Sequence, residues 1–260
     1  MDPALEEQLR ALLVLGLTGL LVLLRLDEVR FGTAEYDDES APGGWRTGTV
    51  RLAWYAVGVA LAAAIFLAHP SPVETLNLGV GTDRGQAIAL GLLFGLGGSL
   101  TAAGYAWLRY GRLRLPAPRT YPGAILNSVC TAFIDEVAFR GAILGLLLAL
   151  GLPAPWAIIL QDLLYGLVTR LGAPGRSRAM LLLSLAVGGV AGALTVFTGG
   201  IGAAVLGHAI TRFAIFVCTG HAGQVRPPGQ EPEEVAADQL PPEGWRVVGE
   251  GEAASDGRRS

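Results

Sequence analysis

Three ionisable residues, Asp135, Glu136 and Arg140, lie within a long apolar run, in the stretch FIDEVAFRG. Each such residue costs roughly 2.5–3.5 kcal/mol at the centre of a bilayer, so it usually marks a functional site or a tightly paired cluster. On a helix, Glu136 and Arg140 share one face and can pair, whereas Asp135 points about 100° away from Glu136 and must face another helix.

Other polar residues at predicted membrane depth fall in two later segments, Gln161, Asp162 and Thr169 in one and His208 and Arg212 in the other. Spacings of seven and four residues place Asp162 with Thr169 and His208 with Arg212 on common helix faces. We therefore expect three carboxylates, two guanidiniums and one imidazole to converge from three helices, and we predict that Asp162 pairs with Arg212. Alternatively, these charges only hold the bundle together, through pairs worth about 0.6 kcal/mol each. The insertion cost of five charged residues, roughly 12–18 kcal/mol, favours a functional site.

The elements that must position these residues are membrane helices. The chain has 260 residues, of which 52% are hydrophobic and 16% charged, and its mean hydropathy is +0.48. An ordinary soluble domain is about 25% charged. At roughly 20 residues per crossing, the apolar blocks predict seven segments: Ala11–Leu26, Leu52–Leu67, Gln86–Leu108, Ala124–Leu150, Ala154–Val168, Ala179–Phe197 and Ile201–Cys218. The predicted fold class is an all-α, polytopic transmembrane bundle of about seven helices.

The first segment resembles a signal peptide only superficially, because Glu6 and Glu7 spoil a positive n-region and no small-residue cleavage site precedes Arg25. We interpret it as a helix that stays in the protein. Between Arg10 and Arg25 it is short for a full span, so we expect its ends to snorkel or the helix to lie tilted at the edge of the bundle.

All 19 basic residues are arginines, and their positions predict the orientation. Two loops are rich in arginine, residues 109–119 and 170–178. Under the positive-inside rule both are cytoplasmic, which places the N-terminus outside and the C-terminus inside. Residues 1–220 form the predicted membrane domain, and residues 221–260 a disordered, acidic, Pro/Gly-rich cytoplasmic tail. A docking motif around Trp245 in this tail is the alternative. The arginine, glycine and alanine usage favours a high-GC prokaryotic source, hence a multi-pass protein of a bacterial plasma membrane.

The motifs resemble those of one family. "DEVAFRG" is similar to the EExxFRG motif of the CPBP (Abi) family of intramembrane proteases, which includes CAAX-processing prenyl endopeptidases and bacteriocin self-immunity proteins. "TGGIGAAVLGHAITRF" resembles that family's closing motif, a Gly-rich lead-in before a helix with HxxxN. The family's middle motif, an aromatic followed four residues later by His, falls at Tyr165–Thr169.

The resemblance implies a metal-independent, glutamic-type endopeptidase that hydrolyses peptide bonds of membrane-associated substrates with carboxylate-activated water. Carried over by position, Asp135 or Glu136 is the base, Arg140 orients it, and His208 with Arg212 stabilises the oxyanion. The resemblance implies no cofactor. Its partners are the lipid bilayer and a membrane-associated peptide or protein, with no nucleic acid.

Three positions depart from the family pattern: Asp135 replaces Glu, Thr169 replaces the middle His and Arg212 replaces Asn. Asp is one methylene shorter, and a misplacement of about 1 Å can cost on the order of 10²-fold in rate. Thr169 cannot act as a general acid or base near neutral pH, a contribution typically worth 10²–10⁴-fold. Gln161 or Asp162 is a possible substitute for the missing His.

Two alternatives to an active protease follow from these departures. The first is a catalytically inactive family member that binds a peptide or acts as an immunity or scaffold protein. The second is a proton-coupled transporter, because carboxylate and His chains also form proton relays; the sequence shows no inverted repeat to support it. Metal binding is disfavoured, because one His with scattered carboxylates lacks the ligand spacing of a HExxH site.

Overall fold

The computed structural model describes residues 3–27, 44–111, 113, 121–172 and 178–219, which form seven helices and no strand. Helices α1, α2 and α3 span Pro3–Leu26, Gly44–Ala68 and Arg84–Tyr110. Helix α4 is one continuous rod made of Tyr121–Asp135, a π-helical segment Glu136–Ile143 and a last turn Leu144–Ala149. Helices α5, α6 and α7 span Ala154–Gly172, Arg178–Thr198 and Gly202–Thr219. The predicted all-α bundle is confirmed.

Among the described residues, four helices are long and apolar enough to cross a membrane, namely α1, α2, α3 and α6, and α7 is a shorter apolar helix. The protein is therefore a multi-pass membrane protein. The orientation with the N-terminus outside stays a prediction. The predicted tail, residues 221–260, and much of the arginine-rich loops lie outside the described residues.

Helix α1 differs from the sequence expectation in length and in how it ends. It begins at Pro3 and has 24 residues, so it is long enough to span. Arg25 does not snorkel, because only 2% of its surface is exposed. Trp54 of α2 holds the adjacent backbone, because its indole Nε1 donates a 3.0 Å hydrogen bond to the carbonyl oxygen of Leu24.

Close packing of α3 on α7 sets the position of the helix that carries His208 and Arg212. A Cβ added at Gly95 would lie 2.7 Å from Cβ of Ile210, and one added at Gly98 would collide with Thr211. Small residues allow such close approach of membrane helices. Gly91, four residues before Gly95, is packed in the same way, since a Cβ added there would lie 3.0 Å from the carbonyl oxygen of Ala203.

The central part of α4 is a π-helix that contains the DEVAFRG motif. All residues from Glu136 to Ala142 are buried. π-helical segments are rare and occur frequently at functional sites. Here the wider turn lies where the ionisable residues are grouped.

Candidate functional site

Glu136 lies at the centre of a buried hydrogen-bond network. Its Oε1 lies 2.7 Å from Nδ1 of His208 on α7 and accepts a 3.2 Å bond from Nη1 of Arg140. The exposed fractions of Glu136 and Arg140 are 0%, and that of His208 is 3%. The structure therefore brings together three of the predicted site residues from two helices.

Tyr165 of α5 contacts the other nitrogen of the same imidazole. Its hydroxyl lies 3.4 Å from Nε2 of His208, and the Arg140 guanidinium carbon lies 4.2 Å from the centre of its ring, a cation–π contact. In the tautomer whose Nδ1 donates to the Glu136 carboxylate, Nε2 of His208 is the acceptor. A 3.4 Å contact is long for a hydrogen bond, so a water molecule can displace it.

Asp135 faces another helix, as predicted, but that helix is α1. Its Oδ1 accepts a 2.7 Å bond from Nε of Arg25, and both side chains are almost fully buried, at 0% and 2% exposure. Arg25 was not among the partners expected from the sequence. Asp135, the residue placed first in the general-base role, is thus held in an ion pair.

The predicted pair between Asp162 and Arg212 is wrong. Arg212 donates from Nη2 to Oδ1 of Asn127 at 3.3 Å, and Asn127 in turn donates to the hydroxyl of Tyr55 at 2.9 Å. None of the ion pairs among the described residues includes Arg212. The reason is geometric, because α7 turns Arg212 toward α2 and α4.

Asp162 lies instead beside Arg140, in a space left by Gly188 of α6. A Cβ added at Gly188 would collide with Oδ1 of Asp162 and would lie 3.0 Å from Nη2 of Arg140. The neighbouring Gln161 donates from Nε2 to the carbonyl oxygens of Ile158 and Gly188, at 3.1 and 3.3 Å. Neither Gln161 nor Asp162 is among the residues that line a cavity together with Thr169, the position of the missing His.

A cavity of about 40 Å³ adjoins this network. It is lined by parts of α1, α5, α6 and α7: Arg25, Tyr165, Thr169, Leu183, Ser184, Val187, His208, Thr211, Arg212 and Ile215. The volume exceeds the roughly 10–15 Å³ that one water molecule needs. In the described part of the chain its polar lining consists of guanidiniums, an imidazole and hydroxyls, and the carboxylates of Asp135 and Glu136 lie behind them.

Among the described residues, no group of three or more His, Cys, Asp and Glu side chains is arranged to hold a metal ion. Glu136 and His208 contact one another directly. The chemistry available at this site is that of a carboxylate–imidazole pair next to a polar cavity.

Three contributors were missed at the level of sequence. Arg25 was interpreted as the boundary of an apolar run, and its burial follows from the position of α1 beside α4. Tyr165 was noted only as the aromatic of a motif, and Asn127 was not noted at all. A polar residue in the middle of an apolar run, as Asn127 is, was the available signal.

Fold and site together define a multi-pass helical membrane protein with an ionisable cluster buried inside its bundle. The family model of the type II CAAX prenyl endopeptidase Rce1-like proteins matches residues 116–214, a range that contains α4, α5 and α6 and much of α7. This match confirms the resemblance to the CAAX-protease (CPBP) family over these residues and shows a relationship to intramembrane proteases of the CAAX type. A search of curated proteins and a search of solved structures each found no match.

Proposed function

We propose that this protein is an intramembrane endopeptidase in which His208, supported by Glu136, activates the attacking water. The observation that supports this most directly is the 2.7 Å contact between Oε1 of Glu136 and Nδ1 of His208. It leaves Nε2 of His208 as the basic atom, and His208 lines the cavity. The arrangement is that of a general base oriented by a carboxylate.

In this mechanism, a water in the cavity gives its proton to Nε2 of His208 and attacks the carbonyl carbon of the substrate. Glu136 stabilises the imidazolium that forms, and Arg140 holds Glu136 in place through the 3.2 Å bond. The hydroxyl of Tyr165, displaced from Nε2 by the water, can donate to the oxyanion. The imidazolium then returns its proton to the leaving amine, which completes hydrolysis of the peptide bond.

Asp135 is assigned a structural role in this proposal. Its bond to Arg25 keeps the negative charge balanced inside the bundle, and its removal leaves Arg25 buried without its carboxylate. This assignment differs from the family pattern, in which the first acid is the base. It also explains how a shorter Asp is tolerated at that position, because the guanidinium reaches it.

The experiment compares new protein N-termini in membranes of cells that express the wild type, Glu136→Gln or His208→Gln at matched protein levels. We expect a set of cleavage products that is lost in both variants. Glu6→Gln is the matched control, because it makes the same chemical change in an exposed ion pair, where Glu6 contacts Arg10 at 2.9 Å. The same products in all four membranes would refute the proposed protease.

A second candidate function is binding of a peptide without cleavage. It is favoured by Thr169, which lines the cavity at the position of the family's middle His and supplies no acid–base group. In that case the N-terminal profiles coincide. Crosslinking through a photoreactive residue placed at Thr169 would then capture a membrane peptide, and failure to capture one would contradict this candidate.

A further inference from the structure

The cavity beside His208 has two guanidiniums in its lining, and the family motifs supply neither. Arg25 lies outside the matched residues 116–214, and Arg212 stands where the family pattern has Asn. Both are nearly fully buried, with exposed fractions of 2% and 7%. Arg25 and Arg212 are close enough to repel one another electrostatically, so the approach of an anion would relieve that repulsion.

Arg212 is the more informative of the two. Its Nη2 bonds to a neutral amide oxygen of Asn127 at 3.3 Å, and its buried Nε has no hydrogen-bond acceptor among the described residues. Asp135 attracts it electrostatically but is in ion-pair contact with Arg25. Buried guanidinium donors without an acceptor are costly, and a carboxylate is the acceptor that best matches their forked geometry.

Hydroxyl groups complete the lining around the two cations. Thr169, Ser184 and Thr211 all contribute hydroxyl groups to the cavity lining, and the hydroxyl of Thr211 donates a 2.8 Å hydrogen bond to the carbonyl oxygen of Gly207. The volume of about 40 Å³ suits a small planar group. Two guanidiniums in a small polar cavity describe a compact anion site.

We propose that Arg25 and Arg212 bind a carboxylate of the peptide substrate, which holds the chain against His208. The inference rests on the proposed function in that it names the substrate group of the same site. It moves Arg212 from the oxyanion role implied by the resemblance to substrate binding. The carboxylate comes either from the end of the peptide chain or from an acidic side chain.

Position in the bundle agrees with a substrate that approaches from one side of the membrane. Arg25 lies one residue from the end of α1 at Leu26, and Thr169 lies in the last turn of α5, which ends at Gly172. The predicted topology places both of these helix ends on the cytoplasmic side. A carboxylate from a cytoplasmic segment therefore reaches the cavity without crossing the bilayer centre.

The test measures binding of three fluorescent Ala/Leu peptides to the full-length protein in lipid nanodiscs. The peptides carry a free C-terminal carboxylate, a C-terminal amide, or a C-terminal amide with one internal Glu. In the wild type we expect a carboxylate-bearing peptide to bind about 10- to 100-fold more tightly than the plain amide, the usual effect of a charge-assisted hydrogen bond. Preference for the first or the third peptide identifies the source of the carboxylate.

Three variants distinguish binding of the carboxylate at this site from general electrostatic attraction to the protein. Arg212→Gln is expected to abolish the preference for the carboxylate-bearing peptides over the plain amide. The double variant Arg25→Gln with Asp135→Asn, which keeps the bundle neutral, is expected to weaken the preference as well. Arg170→Gln, which removes an exposed guanidinium from α5, is the matched control. We expect this variant to retain the preference for the carboxylate-bearing peptides. Equal binding of all three peptides, or a preference that survives Arg212→Gln, would overturn the inference.

Cleavage is scored in parallel so that the two proposals can fail separately. A carboxylate preference in both the wild type and Glu136→Gln, without cleavage by either, supports the carboxylate site and refutes the protease. Cleavage of the plain amide at the same rate as of the carboxylate peptides supports the protease and refutes the carboxylate site.

Discussion

The buried ion pair between Arg25 and Asp135 gives the sharpest test of how this bundle is held together. The two atoms are 2.7 Å apart and their side chains are 2% and 0% exposed. At an effective dielectric constant of about 20, unit charges at that separation attract by about 6 kcal/mol. Desolvation of both ions offsets much of this attraction, so the net contribution of the pair is small, whereas a lone buried charge is costly.

We therefore expect the losses in unfolding free energy to be non-additive in a double-mutant cycle of Arg25 and Asp135. Asp135→Asn alone leaves the guanidinium without its carboxylate and should lower the free energy of unfolding by about 3–5 kcal/mol, as should Arg25→Gln alone. The double variant removes both charges and should lose less than either single variant. The coupling free energy should then be about 3 kcal/mol or more, at the upper end of values for contacting residues.

The assay is equilibrium unfolding of the purified protein in a lipid bilayer mimetic, with the four proteins of the cycle under identical conditions. The exposed ion pair of Arg10 with Glu6, 42% and 44% exposed, supplies a control cycle through Arg10→Gln and Glu6→Gln. Its coupling free energy should be about 0.5 kcal/mol or less. Additive effects of Arg25→Gln and Asp135→Asn would refute the reasoning.

Three further predictions follow from the site. Gly188→Ala adds a Cβ that collides with Asp162 and lies 3.0 Å from Arg140; we expect a loss of about 1–3 kcal/mol in unfolding free energy and reduced cleavage, and wild-type values for both would contradict the packing. The charge swap Asp162→Arg with Arg212→Asp should express no better than either single variant, since the two residues have different neighbours; rescue would show that they pair. Tyr165→Phe should lower the cleavage rate by about 10²–10³-fold if its hydroxyl serves the oxyanion, with unfolding unchanged within about 1 kcal/mol; an unchanged rate would exclude that role.

The position of the site was predictable from the sequence because charges are costly in an apolar segment. The FIDEVAFRG stretch stands out for that reason alone. The spacing of Glu136 and Arg140 predicted their pairing, and the 3.2 Å contact is present. Apolar block lengths predicted the helices because a bilayer fixes the length that a helix needs.

The partners of Asp135, Asp162 and Arg212 were not predictable in the same way. Spacing along one helix fixes which side chains share a face, but it does not fix which helix that face meets. Helix α1 lies against α4 and brings Arg25 to Asp135, a contact between residues 110 positions apart. The π-helical turn also belongs to the folded state and had no signal in the sequence.

The sequence by itself therefore determined the class of protein, the number of helices among the described residues, and the charged residues of α4, α5 and α7 inside the bundle. It did so because hydropathy and helical periodicity are local properties. Only the tertiary structure decided which of these residues pair, with Glu136 bonded to His208 and Asp135 to Arg25. This pairing arises from the packing of helices that are distant in sequence. As a result the imidazole of His208 lines the cavity, and the carboxylates of Asp135 and Glu136 do not.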